Sequence, residues 1–112
     1  MSFRTQALLW VAQRASAAVL ALCVVVHLAT MIYAIRGGLS AAEILARTRG
    51  NGAWLAFYSV FVLAVAVHAP IGLRPVFGEW LRWTGASREV FLLALAMLLA
   101  GLGMRAVLGV FL

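Results

Sequence analysis

The chain has 112 residues, 66% of them hydrophobic and only 11% charged, with nine basic residues against three acidic ones and a net charge of +6. A helix needs about 20 mostly apolar residues to cross the hydrocarbon core of a bilayer, so three crossings nearly exhaust this length. That leaves no room for a second domain or a water-soluble catalytic core. All nine basic residues are arginines placed at or near the ends of apolar segments, where they mark membrane interfaces rather than a nucleic-acid footprint.

In chain order, the apolar run at the N-terminus extends well past the 7–15 residues typical of a signal-peptide h-region, and no small-residue cleavage site follows it, so the first helix is expected to be retained. The first span is predicted over Leu8 to Ile35, stopped by Arg36-Gly37-Gly38. Ser40-Ala41-Ala42-Glu43 has capping-box spacing and predicts a short helix to about Arg47. Gly50-Asn51-Gly52 then turns the chain. The second span is predicted over Ala53 to Phe77, with Pro70 interrupting its hydrogen-bond ladder and kinking it. Trp80 to Ser87 forms a polar connection, and the third span is predicted from Arg88 to Phe111. The fold class is all-α, an integral membrane domain over residues 1–112.

Trp10, Trp54, Trp80 and Trp83 lie near span ends, as interfacial belts require. Arg4, Arg14, Arg74, Arg82 and Arg88 fall on one side and Arg36, Arg47 and Arg49 on the other, which favours a cytoplasmic N-terminus. Arg105 lies within the third span, close enough to its outer end to snorkel; contact with a cofactor carboxylate is the alternative. Cys23 stands alone, so no intrachain disulfide or multi-cysteine metal site exists, and it reads as a small core residue.

The two histidines, His27 and His68, sit inside spans that hold no Lys, Asp or Glu near them. Intramembrane ionisable groups usually mark a functional site, and neutral imidazole suits haem iron in an apolar setting. In His68-Ala69-Pro70-Ile71-Gly72-Leu73-Arg74, Gly72 shares a helix face with His68, so a flat macrocycle has room to lie there. Arg74 follows at the interface, suited to propionates or an anionic partner surface. A histidine that merely glues helices by hydrogen bonding is the plainer reading.

On the first span, Ser16, Leu20, Cys23 and His27 form one face. Ser16 is a candidate polar contact for a quinone, or a hydroxyl bonded back to its own helix. Arg14 is either a functional cation or a snorkelling anchor. Counting from Arg14 and Arg74, the histidines differ in depth by about 10 Å, too much for one iron. Two haems are therefore expected, with the missing axial ligands on another chain.

This constellation resembles the cytochrome b membrane anchors of succinate dehydrogenases and quinol:fumarate reductases. Their first helix carries a pattern like H-R-x-S-G, and a later helix H-x-x-x-G-[IL]-R followed by an acid. Arg14 and Ser16 match the first; His68, Gly72, Leu73 and Arg74 match the second, with Glu79 for the usual Asp. Val26-His27-Leu28-Ala29-Thr30 is similar to the segment that ligates the distal haem in two-haem members. Gln13 replaces the usual His, Ala17 the usual Gly, and Trp10 a serine that contacts quinone.

The resemblance implies a non-catalytic anchor that pairs with a sister membrane subunit to complete a helical bundle. It would hold a flavoprotein and an iron–sulfur subunit on the inner membrane, ligate haem b and help form a quinone pocket. His68 would ligate the haem nearer the iron–sulfur side and His27 the farther one. Arg14 and Ser16 would contact quinone, with Trp10 packing beside it, and Arg74 would serve propionates or docking. Two rival readings stay open. A small multidrug-type transporter needs an intramembrane carboxylate, and Glu43, Glu79 and Glu89 all lie in connections or at span ends. A haem-free structural anchor would use both histidines for packing alone.

Overall fold

The computed structural model describes residues 2–112 and consists of four helices: α1 (Phe3–Arg36), α2 (Ala41–Thr48), α3 (Gly52–Trp80) and α4 (Ala86–Phe111). No strand occurs among the described residues. α1, α3 and α4 are each long and apolar enough to cross a membrane. The long dimension of 49 Å exceeds a hydrocarbon core of about 30 Å, so the bundle ends reach the headgroup regions.

Local chemistry sets each boundary. Ser2 caps α1 by accepting from the Thr5 amide at 3.2 Å, which carries the helix five residues further towards the N-terminus than the predicted start. α1 ends where Gly37 and Leu39 donate back to Tyr33 and Ala34, with Arg36 in the last turn complementing the helix dipole. The expected capping box at Ser40 and Glu43 is present and starts α2. Asn51 Oδ1 accepts from the amides of Ala53 and Trp54 to start α3. α3 continues as one helix through both Pro70 and Pro75 to Trp80, past the predicted end at Phe77. Each proline withholds only a single ladder bond, from the carbonyls of Ala66 and Ile71 respectively.

α3 packs between α1 and α4, and each neighbour runs antiparallel to it. α3 and α4 come close at Gly103, where an added Cβ would lie 2.5 Å from Val62 Cγ1. At one end, Trp83 stacks on Phe77 with ring centroids 5.3 Å apart and tilts against Phe91. At the other, α2 folds back over the end of α4: Thr48 Oγ1 donates to the Val110 carbonyl at 2.8 Å and the Gly50 amide to the Phe111 carbonyl at 2.9 Å. Carbonyls that an isolated helix end leaves unpaired are satisfied this way.

Three helices in a row cannot enclose a core. The buried residues are few and small, among them Ser16, Cys23, Ala64 and Ala66, while Leu22, Leu93 and Met97 are more than 60% exposed. Faces this apolar belong against lipid or another membrane chain. The antiparallel order puts Arg4, Arg14, Arg74, Arg82 and Arg88 towards one end of the bundle and Arg36, Arg47 and Arg49 towards the other.

Candidate functional site

The face of α1 predicted from its spacing is the one turned inward. Ser16 and Cys23 are buried, and Leu20 and His27 are partly so. Ser16 Oγ donates to the Gln13 carbonyl at 3.1 Å, the back-bond that its helical position favours, and also lies 3.4 Å from His68 Nδ1 across the α1–α3 interface. Eleven residues further along α1, His27 Nδ1 lies 3.4 Å from the Tyr58 hydroxyl of α3. Tyr58 and Phe61 both meet the His27 ring edge-on, at 5.8 and 5.7 Å. Thr30 fixes the helix there by donating to the His27 carbonyl at 2.7 Å.

The two imidazoles are thus held alike. Each has Nδ1 within reach of a hydroxyl on the facing helix, and no described residue bonds to Nε2 of either ring. Neither Nε2 is sealed in the protein, since the one fully buried polar side-chain atom lacking a partner is Gln13 Oε1. A hydroxyl beside Nδ1 helps hold the ring orientation, and where it accepts from Nδ1–H it leaves Nε2 with a free lone pair that could bind a metal.

Their separation follows from the register. Ser16 faces His68 and Tyr58 faces His27, so ten residues of α3, about 15 Å at 1.5 Å each, divide the two levels. This exceeds the 10 Å expected from the arginines. In the observed register Arg74 falls opposite the α1 turn before Arg14, not at its level. Two imidazoles so far apart in depth cannot meet at one iron.

Gly72 is one turn from His68, and an added Cβ there would stand 3.0 Å from Gln13 Nε2. The missing side chain admits Gln13 of α1, so in this structure the open space beside Gly72 is filled from within the chain. Arg74 Nε pairs with Glu89 Oε1 at 2.9 Å, and Arg88 shares the same carboxylate oxygen at 2.9 Å. Arg88 also reaches the Arg74 carbonyl at 3.4 Å. Arg14 and Trp10 sit together on the exposed side of α1, the guanidinium 5.2 Å above the indole, apart from inward-facing Ser16. Arg105 is exposed on α4 and borders neither cavity. Glu43 is committed to the capping box, Glu79 is exposed at the end of α3 and Glu89 pairs with Arg74 and Arg88 in the first turn of α4, so among the described residues no acidic side chain lies midway along a long helix.

Two cavities meet at His27. One, of about 640 Å³, lies between α3 and α4 with His27 at its edge and is walled by Val62, Val65, Leu99, Leu102 and Val107. The other, of about 600 Å³, opens towards the α2 end and is walled by Tyr33, Arg47, Asn51, Trp54 and Tyr58. Both fall in the range of small-molecule and cofactor sites. Sequence reasoning missed Tyr58, Gln13 and Arg47. The register of α1 on α3 brings Tyr58 to His27 and Gln13 to Gly72, and the fold-back of α2 brings Arg47 to Tyr33.

No group of three or more His, Cys, Asp or Glu side chains is placed to hold a metal ion among the described residues. A haem needs no such cluster, since the porphyrin supplies four nitrogens and the protein only axial ligands. Imidazoles within apolar helices, with Nδ1 beside a hydroxyl and Nε2 unpartnered, one of them where an apolar-walled cavity meets a more polar one, fit that group.

No curated protein and no solved structure matches the chain. Residues 1–107 match the family model described as succinate dehydrogenase/fumarate reductase transmembrane subunit. A match over nearly the whole chain, on three membrane-crossing helices carrying the expected motif residues, makes this chain a member of the succinate dehydrogenase/fumarate reductase transmembrane subunit family.

Proposed function

We propose that this membrane subunit is a haem b-ligating anchor, with His68 and His27 as axial ligands of two different haems. The observation that carries the proposal is the shared arrangement of the two rings: hydroxyl on Nδ1, open Nε2, levels about 15 Å apart. When bound, haem supplies a one-electron carrier between the iron–sulfur side and quinone. The chain's own residues orient the imidazoles through Ser16 and Tyr58 and keep the surroundings apolar. The remaining axial ligands belong to a sister membrane subunit lying on the exposed faces.

Trp10 and Arg14, stacked and outward-facing, are the residues offered to quinone or to the iron–sulfur subunit. Ser16, inward-facing and 3.4 Å from His68 Nδ1, serves the histidine rather than this outward pair. The Arg74–Glu89–Arg88 cluster carries a net positive charge at the same end of the bundle and suits docking of the soluble subunits, flavoprotein and iron–sulfur. With more arginines at that end, it faces the cytoplasm and the chain lies in the inner membrane.

A haem-free anchor shares the Nδ1 contacts and differs only at Nε2. The test is a reduced-minus-oxidised visible spectrum of the purified complex, with haem counted per complex in His27→Ala and His68→Ala. Each variant is expected to lose one haem and keep the other. A complex without haem bands, or full haem content in both variants, refutes the proposal.

A further inference from the structure

We infer that Arg47 is the propionate-holding residue of the haem ligated by His27; the inference rests on the haem reading above. Arg47 is placed by α2, the short helix folded over the end of the bundle, and lines the same cavity as His27. Its guanidinium lies 5.4 Å from the Tyr33 ring centroid, which steadies the side chain. No described carboxylate pairs with it, because Glu43, one turn away on α2, is used by the α2 capping box. Thr48 and Asn51 line the same cavity, but their side chains are committed to the Val110 carbonyl and to the cap of α3, which leaves Arg47 as the one arginine there among the described residues.

The gradient of polarity runs one way. From Arg47 the cavity passes His27 and adjoins the apolar space walled by Val62, Val65 and Leu102. Tyr33 lies six residues beyond His27 on α1, so the cation stands about 9 Å outward of the imidazole along the bundle. An apolar disc held at its centre by His27 Nε2, with an anionic edge on Arg47, matches that order. Arginine is the natural partner of such an edge because its fork matches carboxylate geometry. The two arginines singled out for propionates from sequence are placed differently: Arg74 is paired with Glu89, and Arg105 borders neither cavity.

The experiment uses the purified complex and follows the haem that His27→Ala removes. A guanidinium beside the propionates favours the ferrous state, which carries one positive charge less. Arg47→Gln is therefore expected to lower that haem's midpoint potential and its occupancy, while Arg47→Lys keeps the potential near the parent value and Arg105→Gln leaves it unchanged. An Arg47→Gln complex with parental potential and haem content, against a His27→Ala complex that has lost its haem, overturns this inference alone. Loss of co-purifying anionic phospholipid in Arg47→Gln with the haem untouched also overturns it, giving the site to a lipid phosphate. If His27→Ala removes no haem, the haem reading falls and the Arg47 inference with it.

Discussion

Ser16→Ala and Tyr58→Phe each delete one hydroxyl from the Nδ1 side of one histidine. A hydrogen bond accepted from Nδ1–H makes the imidazole a more basic ligand and favours ferric iron. Removing the acceptor should therefore raise the haem potential. A net hydrogen bond contributes about 0.5–1.5 kcal/mol, and because only its difference between the ferric and ferrous states moves the potential, about 20–65 mV at 59 mV per tenfold for one electron is the upper bound. Both contacts are long, at 3.4 Å, which puts the expected shift near the lower figure. With about 15 Å between the two levels, each variant should move one haem and leave the other in place. Redox titration of the visible bands reads this directly. Equal shifts of both haems in either variant, or a fall in potential, would refute the assignment of Ser16 to His68 and Tyr58 to His27.

Other perturbations test the packing that holds the site. Gly103→Ala forces a methyl group to within 2.5 Å of Val62 Cγ1 and should destabilise the α3–α4 pair by about 1–3 kcal/mol, read as a lower Tm of the solubilised complex and restored by Val62→Ala. Gly72→Ala should cost less, because the atom it meets at 3.0 Å is the flexible end of Gln13. Glu89→Gln removes the counter-charge of Arg74 and Arg88 and should cost about 1 kcal/mol at low salt, with the deficit shrinking as ionic strength rises. Thr48→Val deletes the bond to the Val110 carbonyl and should loosen the α2 end by about 0.5–1.5 kcal/mol, seen as faster amide hydrogen exchange at Gly50 and the last turn of α4.

The helices were legible because each rests on local signals. Apolar length gave the three spans, and Ser40 with Glu43 gave α2. The ends moved where local caps decide more than composition does: Ser2 extends α1 by five residues, and α3 runs on past Phe77 to Trp80. The inward face of α1 was legible too, since Ser16, Cys23 and His27 share a helical spacing. What the sequence withheld was register. Setting Arg14 level with Arg74 misplaced α1 against α3 by about a turn, which hid the Tyr58 partner of His27 and understated the separation of the histidines. Arg74 illustrates the same limit from another side. Its pairing with Glu89 depends on how α4 returns along α3, and no spacing within one helix contains that information.

The most direct test is a density map of the assembled complex at a resolution that shows the ring nitrogens. The account predicts a separate porphyrin iron bonded to Nε2 of His27 and of His68, with Tyr58 and Ser16 on the respective Nδ1 atoms. Nε2 atoms facing lipid or packed against a partner's side chains, with no porphyrin beside them, would contradict it.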